Sequence, residues 1–235
     1  MIMTDKHLSS QFDAELSNIS TRVLEMGGLV ESQLRQAIYA LHNASVETAD
    51  QVLQIEARVN QLEVDIDHDI TSIMSRRQPT ARDLRLLVGV SRVIVNLERA
   101  GDEASRIARM TKSYIEAGAP RTLPLRDLAD GAQHAADLMH KTLDAFARLD
   151  VEGALSIISE DDSIDAEYEG YLRKLITYMM EDPRTISASL NLLFLAKAIE
   201  RVGDHAKNIS EATVYVAKGT DIRHTTPQQR ESALR

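Results

Sequence analysis

The stretch Glu98-Arg99-Ala100-Gly101-Asp102 recurs 102 positions later as Glu200-Arg201-Val202-Gly203-Asp204. The match continues on both sides with pairs of identical or similar residues, namely Leu97 with Ile199, Ala104 with Ala206, and Ile107 with Ile209. A self-match at a fixed offset indicates that one structural unit occurs twice in the chain. The sequence therefore predicts a fold built from two similar halves.

Each half is predicted to contain three helices. Ten glycines and five prolines interrupt the 235 residues only rarely, and apolar residues recur at the three-and-four spacing of amphipathic helices. The clearest apolar stripe is Val52, Ile55, Val59, Leu62, Ile66, Ile70 and Ile73. The predicted helices cover about 8–41, 46–75 and 80–118 in the first half, and about 125–149, 151–180 and 185–218 in the second. Thr80 and Asp83 form a predicted capping box, and Asp150 is a predicted N-cap.

These helices predict an all-α fold of two tandem three-helix bundles. The first bundle covers 1–118, a linker covers 119–124, and the second bundle covers 125–218. Because the linker is short, we expect the two bundles to pack side by side. Residues 219–235 are polar and show no periodicity, so they are expected to form a flexible tail.

Composition excludes several functional classes. The net charge of −9 argues against nucleic-acid binding, which needs a basic surface. The absence of cysteine excludes disulfides, thiolate metal sites and thiol catalysis. The start of the chain has no signal-peptide pattern, and no apolar run is long enough to cross a bilayer. We therefore expect a soluble cytoplasmic protein.

The candidate functional residues are acidic pairs spaced four apart on the predicted helices. Glu98 with Asp102 and Glu200 with Asp204 place like charges one helical turn apart, beside the buried stripe at its border with solvent. The preceding helices carry Glu56 with Asn60 and Asp161 with Asp165 in the same relation to their own stripes. Such clusters are costly unless a cation neutralises them, and oxygen ligands favour hard cations such as Mg²⁺ or Mn²⁺ and also suit iron. The alternative is an ordinary solvated acidic face, and spacing alone does not decide between the two.

Several segments together resemble the PhoU family, the accessory proteins of bacterial phosphate-specific transport. They are the two Glu-Arg-x-Gly-Asp copies, the turn 78–85 (Gln-Pro-Thr-Ala-Arg-Asp-Leu-Arg), the stretch 55–63 (Ile-Glu-Ala-Arg-Val-Asn-Gln-Leu-Glu) and the stretch 178–182 (Tyr-Met-Met-Glu-Asp). The resemblance implies a cytoplasmic negative regulator of the phosphate starvation response. Such a protein links the ATPase component of the phosphate ABC transporter to a membrane sensor histidine kinase, and it is often a homodimer of paired three-helix bundles.

The resemblance also implies metal binding by the acidic pairs. Some family members bind multinuclear clusters of metals such as iron or zinc through Glu/Asp-x-x-x-Asp pairs, so Fe, Zn, Mn and Mg are the candidate ions. The site residues implied here are Glu56, Asn60, Glu98, Asp102, Asp161, Asp165, Glu200 and Asp204. Asn60 stands where the family pattern has an aspartate, which predicts a weaker or differently filled first site. Glu63 and Asp67 are placed to assist it.

Two further groups of residues are weaker candidates. Arg76, Arg77, Arg82 and Arg85 surround Pro79 and have no counterpart in the second half. They are interpreted either as a docking patch for an acidic partner or as basic residues at a helix end. His68, His140 and His205 lie near acidic residues but do not repeat between the halves, so structural or exposed roles are expected.

The alternative function is a carboxylate-bridged di-metal oxidoreductase in a helical bundle. That class uses two facing Glu-x-x-His segments, and the sequence contains no Glu-x-x-His. A direct phosphate binder is a third possibility, but no glycine-rich phosphate loop is present. The sequence therefore favours a signalling adaptor that is not an enzyme.

Overall fold

In the part of the chain that the structure describes, the main elements are six long helices and one short 3₁₀ helix. The computed structural model describes residues 10–118, 123–226 and 228–230, so most of the predicted linker 119–124 and the chain before Ser10 lie outside the described residues. The elements are α1 (Ser10–Asn43), α2 (Val46–Arg76), α3 (Ala81–Glu116), α4 (Leu125–Arg148), α5 (Val151–Glu181), a 3₁₀ helix (Pro183–Thr185) and α6 (Ile186–Lys218). None of the described helices combines the length and apolar character needed to span a membrane. The prediction of an all-α fold is confirmed.

The turns between helices repeat along with the helices. The first two helices of each half correspond at an offset of 105, whereas the third helices correspond at 102. Ala44 and the equivalent Leu149 end α1 and α4 with positive φ angles of 52° and 53°. Ser45 caps α2 by accepting from the Thr48 amide, and the equivalent Asp150 caps α5 by accepting from the Gly153 amide. The capping box predicted at Thr80 opens α3 with both of its hydrogen bonds. The duplication therefore extends to backbone conformation.

The two bundles pack side by side around one continuous apolar core. Helices α1–α3 pack together, α4–α6 pack together, and the halves meet where α3 lies against α6 and α1 against α4. Close approach at these contacts depends on two glycines. A Cβ on Gly27 would lie 2.6 Å from Leu143 Cδ2, and one on Gly89 would lie 2.1 Å from Val216 Cγ2. Since buried residues of both halves belong to the same core, neither bundle is packed independently.

An ion pair joins the first two helices of each half, but the helix that carries the positive residue differs between the halves. In the first half, Arg22 of α1 pairs with Asp69 of α2. In the second half, the equivalent residues are Asp127 of α4 and Lys174 of α5, and they also form an ion pair. The contact is therefore kept while the two charges change places.

The segment after α6 differs from the flexible tail that composition predicts. Ile222 is completely buried and packs with Ala154, Ile158 and Val214 of the second half. Asp221 accepts hydrogen bonds from Arg223 and lies 3.6 Å from Arg92 of α3. The expectation of a loose tail is therefore wrong for residues 219–226, because a single apolar side chain and an ion pair hold them against both halves. Residues 227 and 231–235 lie outside the described residues.

Candidate carboxylate site

The first carboxylate cluster lies between α2 and α3. Burial raises the pKa of Glu98, and the charges of Asp102, Glu63 and Glu56 raise it further. Partial desolvation raises the pKa of Asp102 although the residue is exposed, and the charge of Glu56 contributes. Because such effects need short distances, the two helices bring these acids together. Glu56 lies 3.5 Å from Arg109, so the negative charge of Glu56 is partly compensated.

Other predicted members of this first cluster contribute unequally. Burial raises the pKa of Glu63, and Asp67 and Asp102 add to the effect, so Glu63 belongs to the cluster. Asn60 lies exposed on α2 beside the buried Val59. Its neutral amide adds an oxygen without adding a charge.

The second cluster lies between α5 and α6 and is more deeply buried. Asp161 is 1% exposed and Glu200 is 9% exposed, whereas Glu98 is half-buried and Asp102 is exposed. Burial raises the pKa of Asp165 and Asp204 as well; the charge of Asp161 adds to the effect at Asp165, and the charge of Asp165 adds to the effect at Asp204. The second half therefore holds the more deeply buried carboxylates.

Asp161 and Glu200 are buried and not at the predicted border with solvent, whereas Asp165 and Asp204 are half-buried as that placement predicts. Gly203 lies directly opposite Asp161, and a Cβ there would come within 2.9 Å of Asp161 Oδ1. The glycine thus makes the room that Asp161 occupies. The first half has a neutral group at the equivalent contact, because a Cβ on Gly101 would lie 3.0 Å from Gln33 Oε1.

Two lysines that sequence reasoning missed partly neutralise the second cluster. Lys207 Nζ donates to Asp161 Oδ2 at 2.9 Å, and Lys197 donates to Glu200 Oε1. Lys207 is four residues from Glu211 and three from Asp204 on α6, so helical spacing alone offered it other acidic partners. Only the packing of α5 against α6 identifies Asp161 as its partner.

Two carboxylate oxygens in the second cluster remain without a hydrogen-bond donor. Asp161 Oδ1 and Glu200 Oε2 are both buried and unpartnered, and such atoms are expected to find a donor or a cation. The donor chemistry therefore suits a hard metal ion. As the side chains are placed, however, no three His, Asp or Glu residues within 10–118, 123–226 and 228–230 are grouped closely enough to hold a metal. Metal binding thus stays a prediction, supported by the donor set and not by assembled coordination geometry.

The four arginines around Pro79 have different environments. Arg76 and Arg77 both donate to Glu15 of α1 at 3.3 Å. Arg85 lies against Gly219 after α6, and its Nε is buried without an acceptor. Arg82 is exposed. Part of the predicted docking patch is therefore engaged in contacts within the protein.

The histidines have separate surroundings. His205 is largely buried between the halves, where its Nδ1 lies 3.2 Å from Asn96 Oδ1. Burial lowers the pKa of His205 to about 4, and the nearby Arg99 and Arg201 contribute, so the ring is neutral at physiological pH. His140 lies 3.1 Å from Glu31, and His68 is exposed. A further histidine that the sequence did not single out, His134, contacts Glu160 and Glu167.

The fold and its two carboxylate clusters define the chain as a duplicated all-helical protein with one acidic site in each half. A family model described as "PhoU domain" matches residues 23–111 and 128–213, one match in each half. The chain belongs to the PhoU family. The resemblance seen in the sequence is thereby confirmed.

Relatives match over nearly the whole chain. A Burkholderia protein named "Phosphate-specific transport system accessory protein PhoU homolog" is 46% identical over 228 residues, which cover 97% of this chain and 97% of that protein. The Escherichia coli K12 protein named "Phosphate-specific transport system accessory protein PhoU" is 44% identical over 231 residues, covering 98% and 95% respectively. The similarity therefore includes both bundles.

Solved structures share the fold. The crystal structure of PhoU from Pseudomonas aeruginosa superposes with a TM-score of 0.84 at 44% sequence identity, covering 89% of this chain and all of that one. The phosphate transport system regulatory protein PhoU from Streptococcus pneumoniae superposes with a TM-score of 0.80 at 25% identity, covering 89% of this chain and 98% of that one. The arrangement of paired three-helix bundles is thus that of known PhoU structures.

Proposed function

We propose that this protein is a cytoplasmic negative regulator of the phosphate starvation response. The observation that carries the proposal is the similarity, at 44–47% identity and over at least 93% of the chain, to proteins named as accessory to phosphate-specific transport. The structural neighbour from Streptococcus pneumoniae is itself named a regulatory protein. In this role the protein limits phosphate uptake when phosphate is plentiful.

The proposed activity is that of an adaptor and not of an enzyme. Its partners are the ATPase component of the phosphate ABC transporter and a membrane sensor histidine kinase, and the working form is a homodimer. Arg76 and Arg82 are the exposed members of the basic group around Pro79, in a protein whose net charge is −9. An acidic surface on a partner would be attracted to this local positive charge.

Metal binding by the two carboxylate clusters is part of the proposal. Support comes from the raised pKa values of Asp161, Asp165 and Asp204, which show that their negative charges lack full compensation. When bound, an Fe, Zn, Mn or Mg ion would supply that compensating charge. The buried oxygens of Asp161 and Glu200 are the groups best placed to bind the metal ion. Lys197 and Lys207 would compete with the ion for these two carboxylates.

Alkaline phosphatase output in phosphate-rich medium tests the regulatory role. Cells lacking the protein are compared with the same cells given it back. We expect high output without the protein and low output with it. Equal output in the two strains would contradict a repressor role in this circuit. A variant carrying Arg82→Glu, compared with Arg148→Glu on an exposed part of α4, then tests whether the basic group docks a partner.

A further inference from the structure

A cavity of about 390 Å³ lies among α4, α5 and α6 in the second half. Its volume falls within the range of pockets that hold small organic ligands. One wall is apolar and includes Leu128, Ile164 and Ile199, while the rim carries charged groups. The cavity is adjacent to the second carboxylate cluster, with which it shares Glu200.

Comparison of the two halves explains why the cavity exists. At the offset of 105, its lining residues Gly131 and Glu167 correspond to Met26 and Leu62. Met26 and Leu62 are 0% and 1% exposed and belong to the core of the first half. The second half therefore has a glycine and a carboxylate where the first half has two core side chains. The space that these apolar side chains fill in one bundle is open in the other.

Two buried polar atoms on the cavity wall have no hydrogen-bond partner among the residues that the structure describes. Tyr171 is 8% exposed, and its hydroxyl is buried without a hydrogen bond. Burial raises the pKa of Tyr171, so the hydroxyl stays protonated and can accept one hydrogen bond while donating another. Glu200 Oε2 is the second such atom. Buried polar atoms left unsatisfied are costly, and a bound ligand would satisfy both.

The charges of the lining residues determine whether the cavity attracts a cationic or an anionic ligand. The lining carries the carboxylates of Asp127, Asp130, Glu167 and Glu200 against the single amine of Lys174. Asp127 pairs with Lys174, Glu200 with Lys197, and Glu167 contacts His134, so the acidic excess of the lining is partly compensated within the protein. The ring of Tyr168 also lines the cavity, and Lys197 Nζ lies 5.3 Å from its centre, so this aromatic surface already contacts a cation of the protein itself. An anionic ligand would meet repulsion here, whereas a cation would be stabilised.

We propose that this cavity binds a small organic amine with an apolar or aromatic body. The ammonium group donates to carboxylates of the wall and to the Tyr171 hydroxyl. The body lies against Leu128, Ile164 and Ile199. The site lies in the second half and shares Glu200 with the second carboxylate cluster, so an amine and a metal ion would compete for the Glu200 carboxylate.

Binding of 2-phenylethylamine to the full chain, measured by calorimetry and saturation-transfer NMR, tests the site. The neutral 2-phenylethanol and the anionic phenylacetate serve as matched probes of similar shape. A hydrogen bond to a charged group contributes more binding free energy than one between neutral groups, and the difference corresponds to about a tenfold change in affinity. We therefore expect the amine to bind roughly tenfold more tightly than the alcohol, and phenylacetate not to bind. Equal binding of all three probes, or no binding of the amine, would overturn the proposal.

Gly131→Met provides the decisive variant because it restores the residue of the first half. A Cβ at Gly131 comes no closer than 3.5 Å to Glu167, so the backbone accommodates a side chain while the cavity fills. We expect the helical circular dichroism to be unchanged and amine binding to be lost. Gly28→Met is the control, because Gly28 is exposed in α1 and a Cβ there meets no atom within 4 Å. Retained amine binding in Gly131→Met would refute this location.

Tyr171→Phe tests the hydroxyl without changing the shape of the cavity. The loss of one hydrogen bond predicts affinity for 2-phenylethylamine weaker by roughly two- to tenfold. Affinity for 2-phenylethylamine equal to that of the unaltered protein would exclude Tyr171 from the site. This variant also keeps the proposal testable if Gly131→Met does not fold.

Discussion

Removal of Lys207 is the sharpest test of the second carboxylate cluster. Asp161 is 1% exposed, and its Oδ2 accepts a hydrogen bond from Lys207 Nζ at 2.9 Å, while its Oδ1 has no donor. Lys207→Met would leave a buried carboxylate without its cation. Breaking a fully buried pair in this way costs roughly 3–5 kcal/mol. Because the Lys207 side chain is 29% exposed, we expect a smaller loss of about 2–3 kcal/mol in the free energy of unfolding.

The loss of unfolding free energy caused by Lys207→Met should depend on pH. Burial raises the pKa of Asp161 above its unfolded value, so in the interval between the two values the folded protein retains a proton that the unfolded chain has released. The charged carboxylate therefore reduces stability at neutral pH, and this penalty disappears as the pH falls towards about 4. We expect the destabilisation by Lys207→Met to be smaller at about pH 4.5 than at about pH 7.

Urea unfolding with a chelator present, at both pH values, measures these effects. Lys141→Met is the control, because Lys141 pairs with Glu160 at 2.7 Å but the two side chains are 53% and 27% exposed. That pair should contribute at most about 1 kcal/mol. Adding Asp161→Asn to Lys207→Met should recover most of the lost stability. Equal losses for Lys207→Met and Lys141→Met would refute the argument that Asp161 is a buried charge held by Lys207.

Three other predictions concern packing, the segment after α6 and the first cluster. The free energy of unfolding in urea should be at least about 1 kcal/mol lower for Gly203→Ala than for Gly170→Ala. The new methyl group lies against Asp161 in the first variant and has no atom within 4 Å among the described residues in the second; equal stabilities would contradict this. Ile222→Ala should lower the unfolding free energy by about 2–4 kcal/mol, and an unchanged value would show that residues 219–226 do not pack in solution. Glu98→Ala with Asp102→Ala should lower metal content per chain while circular dichroism is unchanged; unchanged metal content would remove both from the site.

Much of the fold follows from the sequence because helical periodicity and capping are local properties. The second helix was predicted at 46–75 and spans Val46–Arg76, and the capping residues Thr80 and Asp150 act as expected. Ile222 was not predicted to be buried, since one apolar residue in a polar segment has no period to reveal it. Its partners lie on other helices, and only the tertiary structure brings them together.

The candidate site was predicted in part for the same reason. Spacing placed each acidic pair on one face of its helix, and packing then brought those faces together between α2 and α3 and between α5 and α6. The burial of Asp161 and its pairing with Lys207 depend on how closely two helices approach, which spacing does not determine. The cavity did have a sequence signal. Aligning the halves at the offset of 105 sets Gly131 against Met26, and that comparison of sizes alone would have indicated missing volume.

The exchanged ion pairs between the first two helices of each half have a consequence for folding. If α1 were to replace α4 against α5, Arg22 would face Lys174, and if α4 were to replace α1 against α2, Asp127 would face Asp69. Both incorrect assemblies would bring like charges together, whereas each correct one unites opposite charges. The exchanged charges thus favour the correct pairing of helices over exchange between the two similar bundles, by at most about 1 kcal/mol for each such partly exposed pair.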